Sequence, residues 1–311
     1  MKAAPLFSRT LRGSVSSLGE ENLIRSIRSW LGDATPPAPA GIGDDCAVLR
    51  APRGRELLTI DPVVHGVHFD GATPARAAGA KLFKRNLSDI AAMGGRPRAA
   101  VVALALDDRV SRGWLEDFYR GIAGESRRHR VPIVGGDVAR LPGSFVATLA
   151  LTGDAPGRVL TRRGSRIGDW IYVTGVLGRS VPTRHHYRFE PRLAEGAWLV
   201  RRKEVVAMLD VSDGLAKDLA SLAPPGAAPA LTEAAIPRRS GATLREALCD
   251  GEDYELAFGV ASRANRAALE KAWKRAFPRT RLSCIGRFVR AKEVPADAVP
   301  LRNFRGYEHL R

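Results

Sequence analysis

The chain has 311 residues, 45% hydrophobic and 26% charged, the balance of a folded protein and a length that favours two domains, each with its own core. Its longest apolar run, Ala99 to Leu106, has eight residues against the ~18 of a helical membrane span, and three cysteines, Cys46, Cys249 and Cys284, form no CxxC pair. An integral helical membrane protein, a disulfide framework and a thiolate zinc site are excluded, and a reducing cytoplasm is expected. The net charge of +16 admits nucleic acid, anionic membrane or phosphorylated small molecules as partners, and charge alone does not choose among them.

Residues 1–17 lack a continuous apolar segment and read as a mobile tail, not a secretory signal. Glu20 to Leu31 places Leu23, Ile24, Ile27, Trp30 and Leu31 at helical spacing, and a proline-rich break follows. Leu57 to Val64 reads as a strand. Pro74 to Met93 reads as a helix with Asn86 and Asp89 in its last turns, stopped by Gly94-Gly95. Ala99 to Leu106 is a buried strand, Ser111 to Arg128 a helix, Val131 to Val134 a short strand, and Ser144 to Gly153 and Trp170 to Gly175 two more. The boundary falls between Gly153 and Gly164, giving domains over 18–153 and 154–311. Val205 to Val211 is an apolar run before Asp-Gly, Leu215 to Leu222 a helix and Pro224 to Pro237 a loop. Tyr254 to Val260 and Leu282 to Ile285 flank a helix from Ala264 to Ala276. Strands and helices alternate without internal repeats, so the fold class is α/β or α+β.

In this basic chain the carboxylates gather at the ends of apolar runs or helices. They are Asp44-Asp45, Asp61, Asp89 in Asn86-Leu-Ser-Asp, Asp137 in Gly135-Gly-Asp, Asp210 and Asp213 in Asp-Val-Ser-Asp-Gly, and Glu252-Asp253. Singly, each is an ordinary turn or N-cap. Six together supply the oxygen ligands that magnesium shares with substrate phosphates. A P-loop, a complete dinucleotide fingerprint, a protein-kinase catalytic loop and a GxSxG elbow are all missing from the sequence. His65 and His68 lack an HExxH context, and His68 reads as a hydrogen-bonding partner of substrate. From Arg158 to Lys203 there are eleven basic and three acidic residues, with Tyr187, Phe189 and Trp198 interleaved; the stretch matches no RNA-binding signature.

Seven phrases in order carry a family resemblance: Gly41-Ile-Gly-Asp-Asp-Cys-Ala-Val48, Gly66-Val-His-Phe69, Asn86-Leu-Ser-Asp-Ile-Ala-Ala-Met-Gly94, Gly135-Gly-Asp137, Gly168-Asp-Trp-Ile-Tyr-Val-Thr-Gly175, Asp210-Val-Ser-Asp-Gly-Leu215 and Gly251-Glu-Asp-Tyr-Glu-Leu256. From about Leu23 to Tyr307 the chain resembles the thiamine-monophosphate kinases of the aminoimidazole-ribonucleotide-synthetase-like ATP-binding superfamily. The resemblance implies an α/β (α+β) two-domain fold, with an N-terminal mixed sheet that dimerises and a C-terminal α/β domain that completes the site. It implies ATP- and Mg²⁺-dependent phosphorylation of thiamine monophosphate to thiamine diphosphate. Asp45, Thr59, Asp61, Asp89, Asp137, Asp210 and Asp213 would be metal ligands, with Asp89, Asp137 and Asp210 at the reacting centre. Gly135, Gly136, Arg162 and Ser212 would contact ATP, and His68, Glu252 and Phe304 the acceptor.

The chain departs from the family pattern at Ile60, at Asp250 where glycine is usual, at Phe304 where tryptophan is common, and in a shortened, arginine-rich segment after Gly178. Two alternatives follow: a diverged paralogue that uses ATP on another small anionic substrate, and a nucleic-acid-binding module built on residues 158–203. Selenophosphate synthetase fits less well, because no reactive cysteine precedes a glycine-rich N-terminal loop.

Overall fold

A computed structural model describes residues 4–43, 45–52 and 54–308. The chain divides into two compact units, one of residues 1–87 and 96–156, the other of residues 88–95 and 157–311.

The first unit comprises helix α1 (Glu20–Leu31), strand β1 (Arg55–Val64), helix α2 (Ala75–Ala92, its last turn assigned to the second unit), strand β2 (Arg96–Leu106), helix α3 (Arg112–His129) and strands β3 (Ile133–Arg140) and β4 (Phe145–Ala155). Its mixed sheet has the order β1-β4-β2-β3, antiparallel except for the parallel β2–β3 edge pair. Strand β4 alternates buried and half-buried residues, the period-2 signature of a sheet covered on one face. On that face Phe145 packs edge-on against Trp114 and Phe118 of α3. The opposite face carries Leu58 (74% exposed) and Ile60 (64%) of β1 and Val101 of β2; Ile60 and Val101 both stand opposite Ala150.

The second unit comprises β5 (Trp170–Thr174), α4 (His185–Arg188), α5 (Leu193–Leu199), β6 (Val205–Asp210), α6 (Leu215–Leu222), β7 (Ala227–Leu231), α7 (Leu244–Cys249), β8 (Leu256–Val260), α8 (Arg266–Ala276) and β9 (Leu282–Arg290). Its antiparallel sheet has the order β6-β8-β5-β9-β7. Strand β8 is buried throughout. One core cluster gathers Leu215, Leu219 and Leu222 of α6 with Leu248, and a second gathers Leu269 and Trp273 of α8 with Tyr172 and Phe258. The same unit also holds a buried ion pair. Arg192 Nε donates to Glu255 Oε2 at 2.7 Å, Arg192 Nη2 donates to Oε1, and the Thr174 hydroxyl also donates to Oε2 at 2.6 Å. Gly175, at φ +61°, passes so close that a Cβ there would lie 1.9 Å from Glu255 Oε1.

Several elements differ from the sequence reading. Residues 4–17 are not a free tail: Leu6 and Val15 are buried, and Phe7 and Ser14 form β-bridges to Val110 and Ser111. Residues 1–3 lie outside the described residues. Strand β3 runs on from Ile133 through Gly135-Gly136-Asp137, which the sequence places after a shorter strand. Pro224 to Pro237 contains β7, whose Pro229 is tolerated because β7 is an edge strand. Helix α7 opens with a capping box between Thr243 and Glu246, a pattern present in the sequence but not read there.

The turn after β2 is tied by one carboxylate. Asp107 accepts from the Arg109 guanidinium (2.8 Å), the Arg109 amide (2.9 Å) and the Gly143 amide. The Arg109 side chain first, then the two amides, hold this carboxyl well below the usual range. A depressed folded-state pKa adds stability above the unfolded value, about 3.9, and that contribution is lost as pH falls through it toward the folded value. Wild type should therefore exceed Asp107→Asn in stability at pH 6, and the gap should narrow by pH 3 in urea titrations. Parallel stabilities over that range would count against the assignment.

Candidate active site

In the first unit, β1 carries Thr59, opposite Leu151, and Asp61, opposite Leu149. Arg85 of α2 donates to the Pro62 carbonyl at 2.6 Å and to Asp61 Oδ1 at 3.2 Å, so one oxygen of this expected metal ligand already faces a cation. His68 is buried, and its Nδ1 accepts from the Val64 amide at 3.1 Å, which puts the proton of the neutral ring on Nε2. The buried Lys81 donates to the His68 carbonyl at 2.6 Å. Asp45 is exposed in the loop after Gly43, and Asp44 lies outside the described residues.

Gly135, Gly136 and Asp137 sit on β3, beside Val101, Val102 and Ala103 of β2. A Cβ at Gly136 would lie 2.1 Å from the Val102 carbonyl oxygen, whereas one at Gly135 would come no closer than 3.4 Å to Val101. The parallel partner strand thus accounts for the second glycine. The three residues border a cavity walled by Ile24 and Ile27 of α1, Tyr119 of α3 and Ile133.

In the second unit, the last turn of α2 and the end of β6 bring two carboxylates together. Asp210 is buried and accepts from the Ser88 hydroxyl at 2.7 Å. Burial, and then the Asp89 carboxylate, push the Asp210 carboxyl up to about 7, against the opposing pull of Ser88 and Arg162. Arg162 is exposed in a loop anchored to β6 by the Met208 amide, which donates to the Thr161 carbonyl at 2.9 Å.

After β6 the chain wraps around Asp218 of α6, which accepts from the Ser212 and Asp213 amides, each at 3.1 Å. Burial, then Asp210 and Asp213, raise Asp218 to about 7. Asp213 pairs with Lys217 at 2.7 Å. The Glu252 amide donates to the Ser212 carbonyl at 2.7 Å, and the Tyr307 amide to the Asp213 carbonyl at 2.8 Å. Phe304 is half-buried against the α6 core, with the Arg245 guanidinium 5.5 Å from its ring centroid.

Asp89, Asp210, Arg162, Ser212, Asp213 and Glu252 are thus linked within one unit, while His68, Asp61 and Asp137 belong to the other. Among the described residues, no group of three or more His, Cys, Asp or Glu converges to hold a metal ion. Sequence reasoning missed Asp218, Lys217 and Tyr119. The first two are visible as a second carboxylate and an i,i+4 partner after Asp213; Tyr119 reads only as part of an amphipathic face. Most basic residues of the stretch are exposed, and several have partners within the protein. Arg158 donates to the Arg202 and Val205 carbonyls, Arg192 binds Glu255, and the Arg202 guanidinium lies 3.9 Å from the Trp198 ring centroid.

Residues 43–159 match the family model described as AIR synthase related protein, N-terminal domain. The thiamine-monophosphate kinase of Salmonella typhimurium is 34% identical, in an alignment covering 94% of this chain and 98% of that protein. The crystal structure of thiamine-monophosphate kinase from Stenotrophomonas maltophilia K279a is 31% identical, covers 88% of this chain and 94% of its own, and superposes with a TM-score of 0.70. A structure described as AaThiL complexed with AMPPCP and TMP, 27% identical, covers 97% of this chain and all of its own, with a TM-score of 0.70. With the ordered carboxylate phrases and the two-sheet architecture, these similarities establish that the chain belongs to the thiamine-monophosphate kinase family.

Proposed function

We propose that the protein transfers the γ-phosphoryl group of ATP to thiamine monophosphate, giving thiamine diphosphate and ADP. The observation that carries this reading is 34% identity to a thiamine-monophosphate kinase across 94% of the chain. A phosphate oxygen of the acceptor attacks the γ-phosphorus, the bond from that phosphorus to the β-γ bridging oxygen breaks, and ADP leaves. The acceptor phosphate, with a second pKa near 6, is already ionised at neutral pH, so no side chain has to act as general base. This agrees with a site rich in carboxylates and built without a catalytic histidine.

The donor set fits Mg²⁺. Asp89 and the buried Asp210 face each other electrostatically, with a serine hydroxyl beside them, an oxygen donor set. One or two carboxylates completed by phosphates and water are what this ion takes, so the pair suffices without a third protein ligand. Asp89, Asp210 and Asp213 would hold Mg²⁺ on one unit and Asp45, Thr59, Asp61 and Asp137 on the other. When bound, Mg²⁺ neutralises the phosphate charges that otherwise oppose transfer. Arg162 and the Ser212 hydroxyl hold ATP phosphates. The apolar cavity beside Tyr119 takes the base, with Gly135-Gly136 at its rim. His68 Nε2 donates to the acceptor, and Glu252 and Phe304 hold its thiamine moiety.

A coupled assay of ADP release tests the reading, with release expected only when thiamine monophosphate is present. ADP release unaffected by thiamine monophosphate would favour the diverged paralogue, which Phe304 and the shortened segment after Gly178 motivate. Asp89→Asn and Asp137→Asn should each lower turnover about 100-fold or more at saturating Mg²⁺ while keeping native circular dichroism. Full turnover in both folded variants would remove them from the site.

Phe304→Ala should raise the acceptor KM several-fold, corresponding to roughly 0.5–2 kcal/mol of ring interaction, and leave the ATP KM alone. It should also lower Tm, because the ring rests on the α6 core. Phe304→Trp should restore the KM. A lower Tm with an unchanged acceptor KM would make Phe304 a packing residue only.

The exposed apolar face of the first unit supports a homodimer formed through the N-terminal sheet. Leu58 and Ile60 stand out from β1 beside Val101, an arrangement that favours burial against a second copy. Ile60→Asp should shift sedimentation from dimer to monomer, and a wild-type protein that sediments as a monomer at micromolar concentration would overturn the assembly.

A further inference from the structure

The loop Gly251-Glu252-Asp253-Tyr254 is held in an unfavourable backbone shape. Gly251, Glu252 and Tyr254 have φ of +68°, +54° and +51°, left-handed conformations that non-glycine residues keep only where surrounding contacts over-determine them. Part of the restraint continues the β6–β8 ladder. The Tyr254 amide donates to the Val211 carbonyl at 2.8 Å, and the Glu252 amide to the Ser212 carbonyl at 2.7 Å.

Arg239 donates to Asp253 Oδ1 at 3.2 Å, and most of the remaining restraint comes from the segment in which this chain departs from its family. The Gly178 amide donates to both Asp253 oxygens, at 3.1 and 3.0 Å. The Arg179 amide donates to Asp250 Oδ2 at 2.8 Å. The buried Ser180 hydroxyl donates to the Gly251 carbonyl. His185 Nε2 donates to the Asp253 carbonyl at 3.0 Å. The Phe189 ring stacks on Tyr254 with centroids 4.0 Å apart and planes 22° apart. Ser180 is itself held, since its carbonyl accepts from His186 Nδ1 and from the His186 amide, both at 3.1 Å. Asp250, which stands where the family usually has glycine, is bonded by the first residue of the altered segment. The two departures therefore belong to one structural device.

We propose that residues 178–189 form a clamp that positions Glu252 for the acceptor, with Ser180 and Phe189 as its positioning residues. The inference rests on the assignment of Glu252 to the acceptor site. Neither positioning residue touches substrate; each acts through the backbone direction of the loop. The clamp holds Asp250, Gly251, Asp253 and Tyr254, and none of these contacts is to Ser212, so its loss should alter acceptor binding more than ATP binding.

The test uses the full-length enzyme carrying Ser180→Ala, Ser180→Thr or Phe189→Leu. In Ser180→Ala the buried Gly251 carbonyl loses its hydroxyl donor, and the acceptor KM should rise roughly five- to tenfold, with kcat and the ATP KM within about twofold. Ser180→Thr, which keeps the hydroxyl, should recover most of the affinity. Amide hydrogen exchange at Glu252 and Tyr254 should quicken in Ser180→Ala and Phe189→Leu and stay unchanged in the β8 core.

Faster exchange with an unchanged acceptor KM, or a raised KM with unchanged exchange at these amides, would overturn the clamp. Equal rises in both KM values would overturn its selectivity for the acceptor. If the wild-type protein fails to turn over thiamine monophosphate, the functional reading falls by that result. Calorimetric titration of thiamine monophosphate, with Mg²⁺ and a non-hydrolysable ATP analogue present, then decides the clamp: weaker binding to Ser180→Ala than to wild type supports it, and equal or undetectable binding to both overturns it.

Discussion

The crowding of buried carboxylates around the end of β6 is the constraint on which the second unit depends. Asp210 sits out of water beside Asp89, and the half-buried Asp218 lies close to Asp210 and Asp213. Like charges brought together in a low-dielectric setting repel strongly unless protons, hydrogen bonds or cations compensate. The fold provides limited compensation: the Ser88 hydroxyl, two backbone amides on Asp218, and Lys217 on Asp213. A site arranged in this way favours cations and cation-bound phosphates. The overall positive charge of the chain does not relieve it locally, since Arg192 is committed to Glu255 and Arg239 to Asp253.

Those two ion pairs show how the same unit buries charge for structural ends. Glu255 is 2% exposed and receives a two-pronged guanidinium and a threonine hydroxyl, so its lone pairs are largely satisfied. Removing one member of a buried pair typically costs about 3–5 kcal/mol, because the partner is left charged and desolvated. Among the described residues no guanidinium hydrogen-bonds to Asp210, which has the Ser88 hydroxyl and the longer-range pull of Arg162. Glu255 is thus better compensated than Asp210, a difference that composition does not reveal.

Much of the fold was legible in the sequence because most elements obey their local rules. The amphipathic spacing of Glu20–Leu31 and the Gly94-Gly95 stop after α2 gave those helices nearly to the residue. Helix α7 was overlooked despite its capping box, but two strands were misread where local rules are relaxed. Strand β3 contains two glycines and β7 contains Pro229, and both are edge strands, which tolerate residues that a central strand rejects. The N-terminal residues 4–17 are polar and short of apolar pattern, and they are ordered by pairing with Val110 and Ser111, contacts that no local window contains.

Legibility of the site followed the same division. Ordered motifs marked Asp89, Asp210, Ser212 and Asp213 because each stands in a short phrase whose residue types are chemically demanding. Tyr119 and Asp218 were missed because one is an unremarkable member of a helical face and the other acts through two amides of the turn just before its own helix. Asp250 and the arginine-rich segment read in the sequence as separate losses of family character. In the structure Arg179 donates its amide to Asp250, and Ser180 and Phe189 bear on the same loop. A departure at one position is weak information alone, but two that meet in space constrain each other, since a glycine at 250 would leave the Arg179 amide without that acceptor. The loop thus keeps its left-handed residues by contacts from a segment distant in sequence, which no local reading of either stretch contains.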